Sequence, residues 1–196
     1  MIPPINIRHD LGRLSAELGL LAREQTKAAS RALNRTMTTV RAESARALRR
    51  EYPGLLTRAI RRRMRIERAT AAMLRAAVTF SGRRIGWFGN WTIATKRTRY
   101  GTGIRVPNRL PWRLETTAGV EVTRADLDRA FVARGGLWRR DGKAQYPIGF
   151  IVAPSLARTL VERAIDSRMT ALARQRFAVV FAQEARFRLS QRGGVK

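Results

Sequence analysis

The sequence predicts an α+β chain in which two long helices frame a small, mostly antiparallel sheet with a long basic loop or arm. Apolar residues recur at helical spacing near both ends and alternate at strand spacing in the middle. Glycine and proline clusters punctuate the segments between. A length of 196 residues suits a single domain, 1 to 196, with a core of its own. Hydrophobic content of 44% separates it from a disordered basic tail.

Asp10 is placed to cap a first helix, and Leu11, Leu14, Leu18, Leu21, Ala28, Ala32, Val40 and Leu48 continue its apolar stripe to about residue 50. Tyr52-Pro53-Gly54 ends it, because proline disfavours helix at the residue before it. Thr36, Thr38 and Thr39 mark a weak spot where this helix would bend or break. A short helix is expected over residues 55 to 64. The sheet is expected over 71 to 152, opening where Leu74, Ala76, Val78 and Phe80 alternate with other residues. From Ser81 to Thr117 the pattern fails, and Gly82, Gly86, Gly89, Gly101, Gly103, Pro107 and Pro111 predict a functional loop or an arm. Order returns at Val120 and Val122. Residues 130 to 133 and Leu137-Trp138 read as strand, with a bulge at Gly135-Gly136. Asp141-Gly142 is a hairpin-turn signal, and Tyr146 to Val152 is the return strand, with Pro147 near its start. A last helix covers residues 155 to 190, with Pro154 at its entry. Its apolar positions include Leu156, Leu160, Ile165, Met169, Leu172, Phe177, Val180 and Phe181, and Gly193-Gly194 closes it.

Charge is the anomaly. Forty Lys and Arg against 14 Asp and Glu leave a net +26, which opposes compaction unless counter-charge is supplied. Only Lys27, Lys96, Lys143 and Lys196 are lysines; the rest are arginines, which suit planar contacts to phosphate and carboxylate. Nucleic acid, an anionic membrane or acidic proteins would provide the balance. No segment has the apolar length of a membrane span, and Met1-Ile2-Pro3-Pro4 does not begin a secretory signal. The expectation is a protein kept in the cytoplasm unless a larger particle carries it out.

Catalytic and metal-binding constellations are not found. There is no cysteine, and His9 is the lone histidine, so soft metal sites and Ser/His or Cys/His catalysis are not expected, nor is a cofactor. Glu162 and Asp166 stand four apart, as on one helical face, but Arg158 and Arg163 beside them favour a solvated, ion-paired surface. Asp126 and Asp128 lie near a turn that Asp126 would cap through Arg129. Gly136 to Lys143 fails as a phosphate loop, with five residues where four are needed and Ala144 in place of Ser or Thr. Gly101-Thr102-Gly103 lacks the third glycine and the helix of a dinucleotide fingerprint.

The basic region remains. No acid occurs between Glu67 and Glu115, a gap holding Arg83, Arg84, Lys96, Arg97, Arg99, Arg105, Arg109 and Arg113. Trp87, Trp91, Tyr100 and Trp112 are interleaved with these cations. Cations beside aromatics suit a phosphate-tracking, base-stacking surface. They also suit an assembly arm whose aromatics anchor in a neighbouring subunit, which is the favoured expectation. A second cluster, Arg61, Arg62 and Arg63 with Arg58 and Arg65, lies on the short helix and its exit.

Tyr146-Pro147-Ile148, followed by Ala153-Pro154-Ser155-Leu156 and a long basic helix, resembles the minor tail protein Z (tail completion) family of lambda-like siphophages. Ala32-Leu33-Asn34-Arg35-Thr36 resembles that family's element in the first helix, and the basic stretch Arg61 to Ala71 follows the same order. The resemblance implies a non-enzymatic virion protein at the head-proximal end of a phage tail, assembled in the host cytoplasm. It implies a homo-oligomeric ring, a hexamer by tail symmetry, around the path of genomic DNA. Implied neighbours are the tail terminator and the head-tail connector. The rival reading is a sequence-nonspecific nucleic-acid-binding protein. A membrane-active protein fits less well, because the long helices carry acids as well as arginines.

Overall fold

The computed structural model describes residues 22–87, 90–91, 94–98, 101–105, 114–116, 122–123, 126–127, 129–134, 136–140 and 147–193. Its four helices are α1 (Ala22–Glu51), α2 (Thr57–Arg62), α3 (Leu156–Glu162) and α4 (Ile165–Gly193). Its strands are β1 (Met64–Glu67), β2 (Ala77–Phe80), β3 (Ala94–Thr98), β4 (Gly101–Arg105), β5 (Glu115–Thr116), β6 (Phe131–Ala133), β7 (Gly136–Arg140) and β8 (Ile148–Val152). This is the expected α+β arrangement of long terminal helices and small antiparallel sheets. The chain forms two compact units, one of residues up to 44, 64–80 and 161–196, the other of 45–63 and 81–160.

The first unit is mainly helical. Along α1, Ala28, Ala29, Ala32, Leu33, Thr36, Met37, Val40 and Ser44 are buried, the three-and-four spacing of a single apolar stripe. The helix passes unbroken through the threonines expected to weaken it. Thr38 and Thr39 direct their hydroxyls back to the carbonyls of Asn34 and Arg35, so neither leaves a polar group to disrupt the turn. On α4, Ile165, Ala173, Phe177, Phe181 and Ala185 are buried, and the rings of Phe177 and Phe181 stack at 5.7 Å. Met169 and Leu172, expected inside, are half-buried. Strands β1 and β2 pair antiparallel, from Met64 opposite Phe80 to Glu67 opposite Ala77.

The single last helix read from the sequence is two. Arg163 and Ala164 interrupt it, with Ala164 in the left-handed region at φ 49°. Glu162 therefore ends α3 while Asp166 lies in the first turn of α4, so their four-residue spacing does not set them on one helical face. Asp166 instead accepts the backbone N–H of Ser167.

The second unit is a six-stranded antiparallel sheet in the order β3-β4-β6-β7-β8-β5, with the end of α1, α2 and the first part of α3. Residues 81 to 117, where the pattern failed, contribute three of its strands, and β3 and β4 form a regular hairpin from Ala94 opposite Arg105 to Thr98 opposite Gly101. The bulge expected at Gly135-Gly136 is a tight connection: Ala133 pairs with Gly136, and Arg134 takes φ 47° between β6 and β7. Gly136 is required for a different reason. A Cβ there would collide with the ring of Phe150, which packs edge-on against Trp138 at 5.0 Å. The Asp141-Gly142 turn, Val120, His9 and Asp10 lie outside the described residues.

Candidate nucleic-acid interface

The short helix α2 buries Ala59 and Ile60 and leaves Arg58, Arg61 and Arg62 exposed. Its entry follows a turn in which Gly54 adopts φ 91°, which accounts for Tyr52-Pro53-Gly54 ending α1. Tyr52 is buried, and its hydroxyl hydrogen-bonds that of Thr159, which in turn donates to the carbonyl of Ser155. Beyond α2 the chain turns at Arg63, whose carbonyl accepts the N–H of Ser81 at 2.9 Å. That bond brings Arg83 and Arg84 close to the α2 arginines, although some twenty residues separate them in sequence. The Arg63 guanidinium donates to the carbonyl of Arg84 at 3.1 Å and closes the cluster.

The loop carrying Arg83 and Arg84 is held from below. Ser155 donates to the carbonyl of Gly82 at 3.3 Å, and Arg83 N–H donates to the hydroxyl of Ser81 at 3.3 Å. Ile85 is 1% exposed and acts as an apolar peg. Trp87 and Trp91, candidates for an interface between subunits, are packed inside this one. Trp87 is 6% exposed, and its indole N–H donates to the carbonyl of Ile151 at 2.8 Å. Its ring lies 5.1 Å from that of Trp91, which meets Tyr52 edge-on at 5.9 Å. Leu55 bridges Trp91, and Leu56 N–H donates to the carbonyl of Asn90 at 2.8 Å. Among the described residues of this stretch, Trp87 and Trp91 therefore lie inward, while Arg83 and Arg84 are exposed.

Of the other predicted cations, Lys96 and Arg97 lie on β3 opposite Gly103 and Thr102, and Arg105 ends β4. Arg99, Tyr100, Arg109, Trp112, Arg113 and Tyr146 lie outside the described residues.

The motif residues of the first helix serve the framework. The Asn34 amide donates to the carbonyl of Ala69 and accepts its N–H, both at 2.9 Å, as a neighbouring strand would. Arg35 pairs with the buried Glu184 of α4 at 2.5 Å, and Glu24 pairs with Arg188 at 3.4 Å. Ile148 opens β8, with Pro147 just before it and exposed, while Pro154 is half-buried.

One carboxylate with a shifted pKa stands apart from the cluster. Asp126 accepts both the N–H and the hydroxyl of Thr123 at 2.8 Å, while its own N–H donates back to that hydroxyl at 3.3 Å. Thr123, rather than Asp126, is thus the cap of a reciprocal capping box. Asp126 also pairs with Arg139 at 2.8 Å, an arginine whose side chain is only 11% exposed. Burial pushes the Asp126 carboxyl up, but the bonds from Thr123 and the charge and bond from Arg139 outweigh it, holding it below its ordinary 3.8. Among the described residues its partners are Thr123 and Arg139, which tie it to the fold. Among the described residues no group of three metal-binding side chains occurs, and no helix is long and apolar enough to cross a membrane.

The model of the prophage minor tail protein Z family matches residues 15–192. The chain belongs to that family. All of α1, all but the last residue of α4, the arginine cluster and the motif residues Asn34, Arg35 and Ser155 fall within the match. No curated protein and no solved structure matches the chain. The protein is thus a structural component of a phage tail, and other tail proteins are its neighbours.

Proposed function

We propose that this tail protein completes the head-proximal end of the tail and contributes to head-tail joining, acting by assembly alone and without turnover chemistry. Membership of the minor tail protein Z family carries the reading. In it, identical subunits form a ring around the DNA path, six of them if the ring follows tail symmetry. The tail terminator and head-tail connector are the neighbours, and assembly takes place in the host cytoplasm before the protein leaves in the virion. A net charge of +26 per subunit supports a position beside DNA or acidic proteins, because like charges crowded into a ring repel without counter-charge.

The test is a phage carrying a null allele, imaged together with one carrying a tagged copy. Expected are heads and full-length tails that fail to join, and a tag at the head-proximal end of tails. A tag along the tail shaft or at its tip, or normal joining without the protein, would overturn the assignment.

A further inference from the structure

We propose that Arg62, Arg83 and Arg84, with Arg63 as a positioning residue, form a surface for the phosphate backbone of double-stranded DNA. The inference rests on the DNA-path reading above and assigns it to particular residues. Two stretches of sequence build the surface, the end of α2 and the loop after β2, joined through Ser81 N–H to Arg63 carbonyl and Arg63 guanidinium to Arg84 carbonyl. Arg62, Arg83 and Arg84 are all exposed. No acid lies between Glu51 and Glu67 or between Glu67 and Glu115, so neither stretch carries a carboxylate among its arginines.

Two further observations choose the partner. Among the described residues the exposed large apolar side chains are Met73, Ile148, Val161, Val179 and Phe187, none of them on α2 or in the loop after β2. A protein partner would need an apolar centre for its interface, whereas contacts to phosphate need none. Stacking of unpaired bases would need exposed rings, and Trp87 and Trp91, the indoles nearest in sequence, are buried. Among the described residues, what remains is a cationic surface without apolar or stacking elements. It fits the regularly spaced phosphates of a duplex, bound without regard to sequence. Ser155 shapes this surface from a distance through Gly82.

The test uses the full chain and a mixed-sequence duplex oligonucleotide, with binding measured across a salt series. The triple variant Arg62→Gln, Arg83→Gln, Arg84→Gln should flatten the log–log salt slope by about 0.9 for each phosphate contact removed. An equal charge change on α4, Arg174→Gln, Arg176→Gln, Arg186→Gln, should leave the slope near that of the unmodified protein. Arg→Lys changes at the three cluster positions should retain it. Equal losses from both glutamine triples would mean diffuse attraction and overturn the assignment. So would an unchanged slope in the cluster triple, or tighter binding of an acidic tail protein than of duplex through this cluster. Head-tail joining is scored separately. Joining that survives in a cluster triple unable to bind duplex rejects the DNA-path reading but leaves the surface assigned.

Discussion

The two units of this protein use arginine in opposite ways. In the helical unit two arginines meet acids across the fold: Arg35 pairs with Glu184, and Arg188 with Glu24. In the sheet unit, Arg139 meets Asp126, but Arg62, Arg83 and Arg84 face solvent in stretches without a carboxylate. The Arg35 side chain is 65% exposed and Glu184 only 9%, so solvent screens the cation while the fold encloses the anion. The difference lies in the supply of acids. Where α1 and α4 provide them, arginine joins the helices; where the surrounding stretch of sequence has none, the same residue lies exposed on the surface.

Removal of core side chains tests this contrast with the largest effects. Phe181 is fully buried and stacked on Phe177, so Phe181→Ala should cost about 3–5 kcal/mol by denaturant unfolding. Trp87→Ala should fall in the same range, about 3–5 kcal/mol, since it removes a buried ring and its bond to the Ile151 carbonyl. If Trp87→Ala folded with unchanged stability, the inward placement of the indoles would be wrong, and the assembly arm would regain its anchor.

Asn34 gives an intermediate effect. Asn34→Ala deletes both bonds to Ala69 and should cost about 1–3 kcal/mol, and Asn34→Asp, which keeps the acceptor but sets a carboxylate oxygen against the Ala69 carbonyl, should also destabilise. Equal stability in all three proteins would show that the amide does not secure the β1–β2 connection.

These residues also show what the sequence discloses. The stripes of α1 and α4 were legible because burial repeats every three or four residues, and Val78 and Phe80 marked β2 by alternation. The break at Arg163-Ala164 was not legible. It falls among good helix formers with no glycine or proline, so only tertiary packing selects the left-handed alanine. Strands β3 and β4 were hidden for the converse reason: their glycines and cations carry no apolar alternation, yet backbone pairing forms the hairpin. At the candidate site, Arg62, Arg83 and Arg84 could be named from charge alone. Their meeting depends on hydrogen bonds from Ser81 and Arg63, and the role of Ser155 beneath them has no local signal.

Acid should expose the paired arginine of the sheet unit. The folded Asp126 titrates below 3.8, so its contribution is present above the unfolded pKa and is lost as pH falls through the lower, folded one. Asp126→Asn should cost about 1 kcal/mol at neutral pH, and its stability should fall less steeply on acidification than that of the unmodified protein. Parallel pH curves for the two proteins would show that the ion pair with Arg139 contributes nothing to folding.

The smallest expected effect sharpens the comparison most. If Arg62, Arg83 and Arg84 hold no part of the fold together, the glutamine triple should change unfolding free energy by no more than about 0.5 kcal/mol. Removal of three like charges from a chain at +26 should, if anything, raise stability at low salt, and added salt should erase that gain by screening the repulsion. Arg63 is the internal control, because its guanidinium caps the Arg84 carbonyl. Arg63→Gln should therefore cost more than any single change among the three. Melting curves at low and high salt would separate the cases. A triple variant that melts well below the unmodified protein at both would place these arginines in the framework, and the contrast between the units would fail there.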